Sequence, residues 1–154
     1  MTIVTLPAQG PVPQRRFLPF ADVEVGYCFP REQLTFSQAE VDAFEACLAL
    51  PPSQFHGSAP LLGSPPRRLV PLFLLNEFFS MKRHIMIPNG TLHAQEHLEL
   101  ASPLFVGETF DVDVRITDKY VRNEKKFVTM QQLVSRRGEA QPALKVVRLF
   151  NWAQ

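Results

Sequence analysis

The sequence predicts an α+β domain in which an antiparallel sheet packs around one long buried helix. Three observations carry that expectation. Residues 67–84, RRLVPLFLLNEFFSMKRH, are apolar at Leu69, Val70, Leu72, Phe73, Leu74, Leu75, Phe78, Phe79 and Met81. A helix with so little polar stripe belongs inside a protein, wrapped by other elements. Downstream, four runs alternate apolar and polar residues with tight polar connections, the pattern of antiparallel strands with one buried face. Upstream, a capped amphipathic helix leads into a proline-rich loop. Strand, helix, loop, core helix and then four strands is an α+β order, with the sheet packed on the helix.

Taken in order, residues 1–17 bear proline and glutamine and read as a flexible arm, and residues 18–154 as a single domain. Residues 20–29, FADVEVGYCF, alternate in part around Gly26 and predict a short strand or an extended entry segment. Ser37-Gln38-Ala39-Glu40 is a capping box: the Ser37 hydroxyl and the Glu40 carboxylate each satisfy the other residue's free backbone N–H. Phe36 and Val41 flank it as a hydrophobic staple. Val41, Phe44 and Leu48, with Ala43 and Cys47, extend the apolar stripe of a helix from Ser37 to about residue 50. Pro51-Pro52 stops it, since the ring removes a donor and restricts the residue before it. Residues 51–66, PPSQFHGSAPLLGSPP, form an irregular connection containing His56, and loops of this length in a compact domain are often functional.

The core helix that follows spans roughly 25 Å at 1.5 Å per residue. Pro71 and Asn76-Glu77 make it too short and too polar to cross a bilayer. Pro71 suits an early helical position, with residues 67–70 as a lead-in turn. Lys82, Arg83 and His84 suit the negative end of the helix. Ile87-Pro88-Asn89-Gly90 then turns the chain. Strands are predicted at 91–101, 110–117, 126–135 and 143–152, with a turn at 102–107, a polar hairpin connection at 119–125 and a turn at 136–139. In the first, Leu92, Ala94, Leu98 and Leu100 share one parity, and Thr91, His93, Gln95, His97 and Glu99 the other. Glu96 breaks the apolar parity.

Composition narrows the function classes. A chain of 154 residues is one domain by length, and an apolar share of 45% with 20% charged is that of a soluble globular protein. A net charge of +1 with no block of like charges leaves no nucleic-acid footprint. Cys28 and Cys47 are too few for a disulfide scaffold and lack metal spacing, so they read as two reduced, buried thiols. The opening MTIVTLPAQGPVPQRR has no basic start followed by an apolar run, which predicts no signal peptide and, by default, a cytoplasmic protein. There is no internal repeat and no glycine-rich phosphate loop.

Leu92-His93-Ala94-Gln95-Glu96, followed by Ser102-Pro103-Leu104 and Val106-Gly107-Glu108, resembles the MaoC-like hot-dog family of acyl-thioester dehydratases and hydratases. The likeness is to its amino-terminal type of domain, where a leucine–histidine–glycine–glutamine strand leads to a proline and then a glycine–aspartate turn. Ala94 stands for that glycine and Glu108 for that aspartate. The resemblance covers nearly the whole chain beyond residue 17, and it implies a curved antiparallel sheet wrapped around one long central helix. It also implies a dimer, either a homodimer or a heterodimer with another hot-dog chain. The acyl thioester then lies in a tunnel between subunits, its carbonyl polarised by backbone N–H groups near the start of the core helix. The family's hydratases carry a glycine–aspartate, a variable residue, asparagine–proline, an aliphatic residue and a histidine after the first helix. Aligning that histidine on His56 puts Pro51 at the aspartate, Ser53 at the asparagine and Gln54 at the proline, so no carboxylate precedes His56 within seven positions. The dyad is half present.

The candidate residues follow. The reaction needs an acid/base pair, one group for the proton alpha to the thioester and one for the water or hydroxyl at the beta position. His56 is the candidate base, aided by Ser53 or a group from a partner chain; the alternative for His56 is a solvated loop histidine. Glu77 is the carboxylate of the core helix, and the resemblance makes it the basis of a thioesterase reading; otherwise it reaches the surface or a subunit contact. Asn76 is placed to hold a water or a substrate carbonyl, or a strand backbone. Gly57 and Gly63 let backbone come close to the thioester, with Arg67 and Arg68 nearby. His93, Gln95 and His97 lie on one face of a strand. Same-parity neighbours stand ~7 Å apart and no Cys or Asp completes a metal set, so His93 and Gln95 read as a polar substrate-side face or a dimer seam. Asp111 and Asp113 read as a solvated face. Arg122, Lys125, Lys126, Arg136 and Arg137 either keep strand edges soluble or meet the phosphates of coenzyme A or an acyl carrier. No metal or cofactor is expected beyond the coenzyme A or carrier phosphopantetheine of the substrate itself. The function readings are three: a dehydratase or hydratase, a non-catalytic hot-dog subunit paired with a catalytic one, and a thioesterase using Glu77. None involves a membrane.

Overall fold

In the computed structural model, residues 15–48, 67–71, 74 and 81–153 are described. Their elements are β1 (Arg16–Phe17), a 3-10 turn (Phe20–Asp22), β2 (Glu32–Thr35), α1 (Gln38–Cys47), α2 (Met81–His84), β3 (Ile85–Met86), β4 (Leu92–Leu100), β5 (Thr109–Arg122), β6 (Lys125–Arg136) and β7 (Pro142–Trp152). The last four strands with β2 form one sheet in the order β2-β5-β6-β7-β4, and every pairing in it is antiparallel. β1 and β3 pair in parallel beside it. Arg16 and Phe17 therefore already belong to a ladder, within the stretch read as an arm.

The alternation of the strands builds the core. Phe110, Val112, Val114 and Ile116 of β5 face Val128, Met130 and Val134 of β6 and Leu144, Val146, Phe150 and Trp152 of β7, all buried. A fully buried side chain of this size stabilises by about 1.5–3 kcal/mol. Trp152 also donates its Nε1–H to the Leu18 carbonyl at 3.1 Å, which ties the start of the chain to its end. Three bulges interrupt the sheet: after Ile116 in the β5–β6 ladder, after Val134 in the β6–β7 ladder and between His93 and Gln95 in β4. Each adds twist and bend locally, which curves the sheet.

The capping box at the start of α1 is formed. The Glu40 carboxylate accepts from the Ser37 N–H at 2.8 Å, and the Ser37 hydroxyl accepts from the Glu40 N–H at 3.2 Å. The Ser37 N–H and then its hydroxyl hold the Glu40 carboxyl below its ordinary range. The buried stripe of α1 is narrower than the sequence predicts. Val41 and Glu45 are buried, while Ala43, Cys47 and Leu48 are exposed.

Several other expectations need correction. Residues 67–71 are not a lead-in turn: Leu69 bridges Phe105, and the Val70 N–H donates to the Leu104 carbonyl at 2.8 Å, so this stretch is extended. The helix expected over 69–81 lies mostly outside the described residues. Its described parts are consistent with burial, since Val70, Leu74 and Met81 are all buried. The Leu74 N–H reaches the Pro71 carbonyl at 2.9 Å, in keeping with Pro71 at a helix start. Residues 20–29 are neither a strand nor a continuous extended run: Phe20–Asp22 form a 3-10 turn, Gly26 sits in a second turn at φ +90°, and Cys28 alone joins the sheet by bridging Arg115. Cys28 and Cys47 are exposed, not buried: Cys28 sits opposite outward-pointing Arg115, and Cys47 lies across the helix from the buried Glu45. β2 has no counterpart in the prediction because three of its four residues, EQLT, are polar and it lines a sheet edge. The hairpin connection expected at 119–125 shrinks to Asn123 and Glu124, both at positive φ, the backbone of a two-residue primed turn.

Candidate functional site

The sheet's inner face is mostly apolar, but Glu32 of β2, opposite Val112, meets Arg83 and His84 at one end of it, and a second polar group crosses its other side. On β7, Arg148 occupies the inward parity of Leu144, Val146, Phe150 and Trp152, and it is only 4% exposed. A guanidinium so placed must be paired to be tolerated. It is: its Nε donates to Glu96 on β4 at 2.5 Å, and one of its terminal N–H groups donates to the Gln132 side-chain carbonyl on β6 at 2.6 Å. Three strands thus contribute one line of polar groups, Glu96–Arg148–Gln132, across a mostly hydrophobic surface. The Nε2 donor of Gln132 is buried with no partner among the described residues.

The β4 bulge decides who joins this line. His93 is registered with Phe150 and Gln95 with Leu149, so Ala94 is the extra residue. One inserted residue reverses the parity of everything before it. His93 therefore shares the inner face with Glu96, Leu98 and Leu100, while Gln95, His97 and Glu99 face outward. The single face expected for His93, Gln95 and His97 is split. The His93 ring stacks on Phe150 with centroids 5.3 Å apart, and its Nε2 lies 3.8 Å from the Glu96 carboxylate. On the outer side, Lys145 and then His97 hold the Glu99 carboxyl below its ordinary range. All nine residues of β4 are exposed, and its edge away from β7 has no strand partner among the described residues.

Two further ion clusters flank residues 67–71. Arg67 stands over the Phe105 ring at 4.1 Å and reaches Glu108 at 2.5 Å. Glu108 also accepts from the Phe105 N–H at 3.2 Å and from Arg136 at 3.1 Å. Burial pushes the Glu108 carboxyl up, but these bonds from Arg67, Phe105 and Arg136 outweigh it and hold the group below its ordinary range. Arg136 is further engaged by the Ser102 hydroxyl, Glu139 and the Pro103 carbonyl. Arg68 bonds Asp42 and the buried Glu45 of α1, each at 2.5 Å.

Solved structures share this architecture. The (R)-hydratase of A. caviae involved in PHA biosynthesis matches with a TM-score of 0.62 and 23% identity, over 85% of this chain and 98% of that one. The R-hydratase PhaJ1 of Pseudomonas aeruginosa matches with a TM-score of 0.66 and 14% identity, over 91% and 88%. The HadBC 3R-hydroxyacyl-ACP dehydratase complex of Mycobacterium tuberculosis matches with a TM-score of 0.61 and 13% identity, over 80% and 92%. The chain has the MaoC-like hot-dog fold. No family model and no curated protein matches it in sequence.

Within the hot-dog frame, the predicted site residues divide. His56, Ser53, Gly57, Gly63, Asn76 and Glu77 lie outside the described residues. Arg67 and Arg68 are described, and both guanidiniums are engaged by carboxylates. His93 lies on the inner face and Gln95 on the outer. Asp111 and Asp113 form the solvated face expected, paired with Gln33 at 2.9 Å and Arg31 at 2.8 Å. Two shallow clefts open on the described surface, one lined by Cys28, Asp113, Arg115 and Gln131 and the other by Asp22, Tyr27 and His84, and neither is lined by a predicted site residue. Among the described residues no helix is long and apolar enough to cross a membrane.

Sequence reasoning missed Arg148 and Gln132. A signal existed for the first: Glu96 is a carboxylate on one strand's apolar parity, and Arg148 is a cation on another's.

Proposed function

We propose that this chain is an acyl-thioester dehydratase or hydratase, acting on 3-hydroxyacyl or enoyl chains carried on coenzyme A or on the phosphopantetheine of an acyl carrier. The observation that carries the reading is the hot-dog likeness over 85% of the chain to a protein described as an (R)-hydratase. Adding water across an enoyl thioester needs a proton removed from water and a proton delivered to the α-carbon. In this reading His56 serves as base, aided by Ser53, and backbone near Gly57 and Gly63 polarises the thioester carbonyl. The molecule works as a dimer of hot-dog chains. The open edge of β4 supports that part of the reading.

A second reading is a non-catalytic hot-dog subunit that binds the acyl chain and pairs with a catalytic partner. Pro51, where the family's hydratases carry an aspartate, favours it. One assay separates these readings from a thioesterase that uses Glu77. The purified chain is incubated with crotonyl-CoA and a longer enoyl-CoA while the enoyl absorbance is followed. Turnover lost in His56→Ala supports the enzyme. Silence relieved by adding a hot-dog partner supports the subunit, and release of free thiol supports the thioesterase.

A further inference from the structure

We infer that His93 is a catalytic acid–base residue of this chain, fixed by Phe150 and set beside the Glu96–Arg148–Gln132 line; the inference rests on the hydratase reading above. Four observations meet at this one spot. The first is the bulge at Ala94, which turns His93 from the outward parity of its strand to the inner face; bulges recur where a side chain must be re-aimed beside a site. The second is reach: on β4, whose far edge has no strand partner among the described residues, the His93 side chain is 45% exposed, so its imidazole is accessible to a ligand.

The third observation is support. The ring is stacked on the buried Phe150, which fixes its plane. The Glu96 carboxylate lies 3.8 Å from Nε2, close enough to stabilise the imidazolium that forms when the ring takes a proton. Arg148 anchors that carboxylate at 2.5 Å and is itself anchored by Gln132 at 2.6 Å. Phe150 therefore fixes the ring, while Glu96 is a nearby charge, itself held by Arg148, that favours the protonated imidazole without hydrogen-bonding to it. The fourth is energetic. Burying Arg148 at 4% exposure carries a desolvation cost that an apolar residue in this row of Leu144, Val146, Phe150 and Trp152 avoids. The charge serves the placement of Glu96.

The step balances with one histidine. In hydration, His93 takes a proton from water as the water oxygen bonds to the β-carbon. The electron pair of the double bond moves onto the thioester as an enolate. The imidazolium then returns a proton to the α-carbon as the enolate collapses. Water is consumed, no electrons leave, and the imidazole is regenerated; dehydration is the reverse. His93 is the group that touches substrate, and Glu96 and Arg148 are positioning residues. In this form of the hydratase reading the proton is handled by His93 in place of His56, so His93→Ala lowers turnover and His56→Ala does not.

The test uses the full chain, with a hot-dog partner where one is required for turnover, and crotonyl-CoA and a longer enoyl-CoA as probes. His93→Ala and the size-conserving His93→Gln lower kcat by about 10²-fold or more at unchanged KM, the range expected for loss of a general base. Added imidazole restores part of the His93→Ala rate, which loss of a structural contact does not allow. Glu96→Gln lowers kcat with KM unchanged; it also lowers the melting temperature, because the buried Arg148 guanidinium loses its counter-charge, so the rates are compared well below the variant's unfolding transition. Turnover that survives both His93 substitutions at the wild-type rate overturns the inference and leaves the hydratase reading standing. Absence of turnover in the wild-type chain, alone and with partner, overturns that reading and the inference with it.

Discussion

Replacing Arg68 by alanine tests how residues 67–71 are held against α1. Glu45 is 5% exposed and its Oε2 is bonded by Arg68, while its Oε1 has no partner among the described residues. Removing Arg68 leaves a buried carboxylate with no compensating charge. Breaking a buried pair from one side costs about 3–5 kcal/mol, a large part of the roughly 5–15 kcal/mol that holds a domain folded. Solvent screening gives little relief, because the Arg68 side chain is 13% exposed and that of Glu45 7%. Asp42, the other partner, is 58% exposed, so Asp42→Ala costs about 1 kcal/mol or less. Urea unfolding at fixed protein concentration reads the difference. With a slope of roughly 1–3 kcal/mol per molar urea, Arg68→Ala lowers the midpoint by about 1–5 M. Glu45→Met with Arg68→Met recovers most of the loss, since apolar groups of similar volume replace the pair without a stranded charge. An Arg68→Ala midpoint as close to wild type as that of Asp42→Ala would refute the reasoning. A raised KM for an acyl-CoA in that same stable variant would instead assign Arg68 to phosphate binding.

Two further outcomes follow from the same region. The Glu108 carboxyl sits below its ordinary range when folded, so the stability it contributes is fully present above the ordinary glutamate range and is lost as pH falls through its lowered folded value. Glu108→Gln therefore flattens the acid side of a stability-versus-pH curve, and an unchanged slope counts against the cluster with Arg67 and Arg136. Gly107 sits at φ +83° with open space where a Cβ would be. Gly107→Ala destabilises by about 1–2 kcal/mol through backbone strain alone, read as a lowered melting temperature.

The fold was legible where short-range chemistry acts by itself. Ser37 and Glu40 find each other across three residues whatever the rest of the chain does, so the capping box could be read from four letters. The alternation in β5, β6 and β7 survived because each strand buries one face for most of its length. β2 escaped because a four-residue edge strand hides too few residues to leave a pattern. Cys28 and Cys47 escaped because exposure depends on which element lies opposite, and cysteine's average burial carries no such information. Of the candidate site, the six residues from 51–66 and the core helix lie outside the described residues, and of the four that are described only His93 sits on the inner face with its environment resolved.

What was least legible is the β4 bulge, and its consequences are the largest. A strand read at strict period 2 puts His93 with Gln95 and His97 and leaves Glu96 as an anomaly on the apolar side. With one residue inserted at Ala94, the anomaly disappears: Glu96 keeps the parity of Leu98 and Leu100, and His93 joins it. Nothing about an alanine announces a bulge. Yet the sequence held an indirect mark of it in two charges of opposite sign, each on the apolar parity of its own strand. A lone buried carboxylate or guanidinium is costly enough that such a residue implies a partner. Glu96 and Arg148 are each other's most economical explanation, and pairing them fixes the β4–β7 register: Glu96 must lie opposite Arg148, as it does. That register places Gln95 opposite Leu149 on the outer face. His93, stacked on inward-facing Phe150, can then reach the inner face only if one residue between it and Gln95 is extra.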